Sequence, residues 1–337
     1  MRQGFVYLLL FFCLFGITSC IREDITGNTP RDNFESLWRI IDRQYCFFEY
    51  KKAEYGLDWD EVYRRYSQRI TNEMNSEALF EVLSEMVNEL RDGHVNLTST
   101  MAVSQYRAWY DAYPRNFNDS IQSRYLGKDY SITSGLKYQI LDNNIGYVYC
   151  GSFTTSIGEG ALNQILRRFA TCNGIIIDVR NNGGGNLTTA QKLASRFTNE
   201  KRLTGYISHK TGQGRQDFSA PIPVYIEPSD NIRWQKKVAV LTNRRSYSAT
   251  NDFVNIMRAF PNVIIVGDKT GGGSGLPFTS EIPNGWSIRF SASPMYNAQM
   301  QQIEFGIEPD VSVNITSEDY NKGIDTIIET ACKLIKQ

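Results

Sequence analysis

Four short apolar runs, at residues 145–150, 174–179, 238–241 and 263–266, constrain this chain more than any other feature. Their length is that of strands, and Asp178 is the one charged residue in them. Strands of that kind are buried on both faces, which requires helices on either side of a largely parallel sheet. Amphipathic stretches fall between and after the runs, at 160–169, 187–197 and 249–260. Ile324, Ile327, Ile328, Ala331 and Ile335 mark a closing helix. The fold class is therefore α/β, a core of parallel strands covered by helices, placed in residues 139–337.

A different pattern precedes it. Residues 34–45, 58–70 and 76–91 carry apolar side chains at helical spacing, among them Leu37, Trp38 and Ile41, then Val62 and Tyr66, then Leu83, Val87 and Leu90. They predict a small helical domain over 32–98, with Ser76 as a helix cap. Residues 99–138 are polar and aromatic with weak periodicity, and read as a connecting segment. The first twenty residues have a basic Arg2, an apolar stretch from Phe5 to Ile17, and the ending Ile17-Thr18-Ser19-Cys20. That stretch suits a secretory signal rather than a spanning helix. Its ending resembles the lipobox of bacterial lipoproteins, which implies lipidation at Cys20, a tether over 21–31 and a membrane anchor at the cell envelope, the outer membrane first. The other reading is a plain secretory signal in which Cys20 is incidental.

Lys plus Arg and Asp plus Glu both total 36, and this balance argues against a nucleic-acid partner. Cys46, Cys150, Cys172 and Cys332 are far apart and form no C-x-x-C pair, so no metal site is expected. They allow two disulfides at most, or stay as buried thiols.

Three segments carry chemistry. In the first, residues 238–250, a buried strand runs through Ser246-Tyr247-Ser248 into a helix. A serine there meets the free amides of a helix N-terminus, which suit a developing oxyanion, although a simple N-cap has the same signature. In the second, Asp178-Val179-Arg180-Asn181-Asn182-Gly183-Gly184-Gly185, a strand gives way to a glycine loop. The loop lacks the spacing of a nucleotide site, and its exposed amides suit an oxyanion hole. The third is Leu90-Arg91-Asp92-Gly93-His94-Val95. The chain has two histidines, so His94 at a helix junction is a candidate base near neutral pH, or an ordinary structural histidine. His209 lies in a polar run and is expected to be exposed.

Together with Gly146-Tyr147-Val148, with 266–272 and with Gly306-Ile307-Glu308-Pro309-Asp310, these motifs resemble the tail-specific, or C-terminal-processing, serine peptidases. The resemblance covers nearly all of the chain after the signal. It implies a crotonase-like core, peptide-bond hydrolysis of a peptide or unfolded protein, no cofactor, Ser248 as nucleophile, and the amides of Ala249 and Gly184 as oxyanion hole. Many members place a lysine base about where Gly273 stands, 25 positions after Ser248, and Lys269 is a poor substitute. The tricorn-like branch uses a histidine and a glutamate instead, and these fall on His94 and Glu304. That branch has a serine before the histidine, where this chain has Gly93, so the group orienting His94 is expected to be Glu304, with Asp92 second. The residues after Asn96 are too few for the PDZ module of the lysine-type members. The alternative reading is a degenerate member that binds an apolar ligand or peptide without hydrolysing it.

Overall fold

The structure, a computed structural model, describes residues 27–337. The signal stretch, Cys20 and most of the expected tether lie outside the described residues. No helix among the described residues is long and apolar enough to cross a membrane.

The apolar runs become the centre of a seven-stranded sheet. Strands Ile145–Tyr149, Ile175–Asp178, Val238–Thr242, Val263–Gly267 and Val311–Ser312 are mutually parallel neighbours in that order. Strands Leu136–Leu141 and Ser131–Thr133 extend the sheet antiparallel beside Ile145–Tyr149. Helices Glu159–Arg168, Leu187–Ala194 and Ala249–Arg258 cover one face, around Phe169, Ile177, Val240, Phe253 and Met257. Helix Thr326–Lys336 covers the other, around Tyr147, Ile176, Leu241 and Ile328. Burial on both faces is what the apolar runs require.

The helical region holds Pro30–Gln44, Phe48–Tyr55, Trp59–Ser67 and Ser76–Asn88. The short helix Phe48–Tyr55 was not expected; its apolar spacing is poor, and packing rather than amphipathicity holds it. Asn75, not Ser76, caps the last helix, accepting from the Ala78 amide at 2.9 Å. Phe34, Leu37, Trp59 and Leu83 share a core with Ile282, Trp286, Ile288 and Phe290, which come from the hairpin Pro277–Glu281 and Ser287–Ser291. That hairpin also pairs with strand Asn96–Thr98, Asn96 opposite Arg289. The helical region is thus completed by chain from far downstream. The connecting segment 99–138 holds two short helices, Ala108–Asp111 and Asp119–Leu126, the strand Ser131–Thr133 and the start of Leu136–Leu141. Cys46, Cys150, Cys172 and Cys332 are all free thiols.

Candidate active site

Strands Ile175–Asp178 and Val238–Thr242 are parallel neighbours, Asp178 opposite Leu241, so their following loops leave the same sheet edge side by side. Side chains stitch those loops together. The Ser246 hydroxyl donates to Val179 O at 2.9 Å, and Asn243 and Asn181 exchange hydrogen bonds at 2.9 and 3.0 Å. Beneath them the fully buried Arg180 guanidinium pairs with Asp178 at 2.6 Å and with Asp325 at 2.9 Å.

Ser248 follows at the helix N-terminus with φ 59° and ψ −124°. This is a left-sided backbone conformation that a residue with a side chain adopts only under constraint, at a cost of roughly 1–3 kcal/mol. Its amide donates to Gly272 O at 2.8 Å, which supplies the constraint. The side chain makes no cap bond; its Oγ lies 3.0 Å from His94 Nε2. The simple N-cap reading therefore fails, and the structure brings the two residues together across 154 positions.

His94 is 3% exposed. Burial is the main cause that pushes its imidazole down to about 4; Asp92 and the Ser274 backbone oppose this, while Arg289 and Lys51 add to it. Nδ1 makes no hydrogen bond of good geometry among the described residues, its interaction with the Ser274 backbone being too poorly aligned to count as one. The residue is instead fixed by its amide, which donates to Asp92 Oδ1 at 2.7 Å, and by the Tyr247 ring, whose centroid is 5.0 Å away. Asp92 is held in turn by Tyr45 at 3.0 Å and Ser291 at 2.9 Å.

Glu304 is buried in the same neighbourhood but makes no hydrogen bond to the His94 ring among the described residues. Its Oε2 accepts from the Ser274 amide at 2.9 Å and its Oε1 lies 3.2 Å from Lys51 Nζ. Burial and the charge of Asp92 push the Glu304 carboxyl up, against Lys51 and the Ser274 amide. Of the two routes expected for Glu304, directly or through water, the direct one is not made: its Oε2 is held by the Ser274 amide. Lys51, fully buried and also donating to Arg91 O at 3.1 Å, was missed, because a lysine on a short helix carries no local signal of burial.

The glycine loop also differs from expectation in one atom. The Gly184 amide donates to Asn182 Oδ1 at 2.9 Å, so it does not face the serine as a free donor. Gly184 matters by having no side chain: a Cβ would stand 2.8 Å from Ser248 Cβ and 2.9 Å from Ala249 N. Gly185, next in the chain, lines the cavity beside Ser248 together with Ala249. Among the described residues neither of their amides is spent on a hydrogen bond, so both suit an incoming oxyanion.

Tyr247, together with Trp109 at position 93, occupies the space at both departures from the family pattern. At Gly93 a Cβ would lie 2.7 Å from Tyr247 Oη and 2.6 Å from Trp109 Nε1. At Gly273, with φ +76°, a Cβ would lie 2.2 Å from Tyr247 Cζ. The Tyr247 ring, stacked on Trp109 at 4.1 Å, fills the space that a serine at 93 or a lysine at 273 needs. Lys269 is elsewhere occupied, its Nζ 2.8 Å from Glu308. His209 is exposed as expected, with Nδ1 3.2 Å from Ser293 Oγ. No cluster of His, Cys, Asp and Glu suited to a metal occurs among the described residues.

The profile of peptidase family S41 matches residues 144–313, and that of the tricorn protease C1 domain matches residues 27–88. A crystal structure of a peptidase candidate from Parabacteroides merdae is 54% identical with a TM-score of 0.89, covering 92% of this chain and 98% of that one. Mature CPAF shares the fold with a TM-score of 0.74 at 13% identity, over 91% of this chain and 98% of its own. The protein named "Probable CtpA-like serine protease" in Staphylococcus epidermidis is 28% identical over 173 residues, 51% of this chain and 34% of its own length. The chain spans 22–23% of the length of two further curated relatives.

Proposed function

Because this chain belongs to peptidase family S41, we propose that it is a serine peptidase that hydrolyses peptide bonds of peptides or unfolded chains through an acyl-enzyme on Ser248, with His94 as base. One observation carries the reading: the 3.0 Å approach of His94 Nε2 to the hydroxyl of a conformationally strained serine. A base must be unprotonated to accept a proton, and burial keeps the imidazole neutral well below neutral pH.

The Ser248 proton passes to His94 Nε2 as Oγ bonds to the substrate carbonyl carbon. The oxygen of that carbonyl takes up the electron pair and is met by the Ala249 and Gly185 amides at the helix N-terminus. His94 then gives the proton to the departing amine as the C–N bond breaks. Water repeats the sequence on the ester and frees Ser248. Asp92, whose charge favours the imidazolium, holds the His94 backbone, and Tyr247 holds its ring. Glu304 and Lys51 fix Ser274 and the loop around it. The amino-terminal sequence supports a second part of the proposal, a lipid anchor on Cys20 at the bacterial envelope. Cys20→Ser is expected to move the protein from the membrane to the soluble fraction; unchanged fractionation contradicts the anchor.

A fluorophosphonate probe tests the chemistry. Wild type is expected to be labelled and Ser248→Ala not; equal labelling of both removes the assignment.

A further inference from the structure

The cavity beside Ser248 has a volume of about 340 Å³, within the lower range of small-ligand sites. Its walls are mostly apolar, with Leu187, Ala249, Leu276, Pro277, Met295 and Ile303 among them. Asp252 interrupts them. It lies one helical turn beyond the nucleophile, its amide donating to Ser248 O at 3.1 Å, which puts its side chain on the same face of the helix. The residue is 8% exposed, and its buried Oδ2 makes no hydrogen bond among the described residues.

A buried carboxylate without a partner costs free energy, and an asparagine or leucine would fill the same space more cheaply. Among the described residues no hydrogen bond of the fold makes use of the Asp252 side chain. Burial alone pushes its carboxyl up to about 7, with no neighbouring charge contributing. Arg289 and His94 line the same cavity, yet neither is an ion-pair partner of Asp252 among the described residues. A carboxylate in this state is poised to be completed by a ligand. The apolar walls fit an aliphatic stem and the carboxylate fits a cationic end, the two parts of a lysine or arginine side chain.

We propose that Asp252 is a specificity-determining residue that selects a basic side chain, lysine or arginine, on the substrate residue whose carbonyl Ser248 attacks. This inference rests on the Ser248 chemistry proposed above. Substrates with a neutral aliphatic residue at that position leave the carboxylate unpaired in an apolar cavity and are correspondingly disfavoured.

The test uses the full chain and two peptidyl diphenylphosphonates that differ only in lysine or norleucine at the reacting residue, with a small fluorophosphonate reporting the nucleophile alone. The lysine probe is expected to label Ser248 on the order of 100-fold faster than the norleucine probe, and Asp252→Asn to bring the ratio toward one. In wild type the ratio should also shrink as pH falls from 8 to 6 through about 7, where Asp252 takes up a proton. This second arm does not depend on how the variant folds. Labelling by the fluorophosphonate with a lysine-to-norleucine ratio of one or below overturns the inference and leaves the peptidase reading standing. If no probe labels Ser248, the peptidase reading fails. Calorimetry of lysine and norleucine peptides on Ser248→Ala then decides the inference by itself, equal affinities rejecting it.

Discussion

Ser248 and His94 belong to regions built on different principles. The serine side is the end of a parallel sheet, where loops 178–185 and 243–248 are tied by neutral hydrogen bonds over a single buried ion cluster. The histidine side is a helical cap in which Asp92, Lys51 and Glu304 are buried close to His94, with Arg289 half-buried beside them. The contrast separates two tasks. Backbone geometry aims the Ser248 hydroxyl, while burial and surrounding charge set the proton affinity of His94.

Breaking the sheet side has the largest expected effect on stability. Arg180→Met leaves Asp178 and Asp325 buried without their cation, and is expected to cost about 3–5 kcal/mol in denaturant unfolding. A loss within 0.5 kcal/mol would mean that the cluster does not hold these loops.

The cap side sharpens through Gly93. Restoring the serine of the tricorn pattern, Gly93→Ser, forces a side chain against Tyr247 and Trp109 and is expected to destabilise by about 1–3 kcal/mol, with slower labelling of Ser248. If that variant is as stable and as reactive as wild type, Tyr247 packing is not what excludes the serine.

The smallest effect is a pH shift. As the proposed base, His94 works only when neutral, so labelling should be full at neutral pH and lost only as pH falls through about 4, not near the ordinary histidine value of 6.5. An acid limb near 6.5 would show that burial does not govern His94.

The same contrast explains what the sequence revealed. The strands at 175–178, 238–242 and 263–267 are legible because burial on both faces leaves apolar runs broken only at their ends. Ser248 and the glycine loop were legible because strand, turn and helix are consecutive in the chain. The surroundings of His94 were not. Lys51 meets Glu304 across 253 positions, and Asp92 meets Ser291 across 199, distances over which periodicity carries nothing. Gly184 and Gly185 look alike in sequence, and one bond from the Gly184 amide to Asn182 tells them apart. Tyr247 lies inside the Ser246-Tyr247-Ser248 motif, and the glycines at 93 and 273 depart from the family pattern. That one ring joins them is visible only in three dimensions.

The central claim is that His94, and not a lysine, takes the proton from Ser248. The direct measurement is the rate of fluorophosphonate labelling of wild type, His94→Ala and Lys269→Ala under identical conditions. Lys269, paired with Glu308, is expected to be dispensable, its variant labelling as wild type does. His94→Ala is expected to label slower by a factor on the order of 10³ or more. Labelling of His94→Ala at the wild-type rate, or silence of Lys269→Ala alone, would contradict the account.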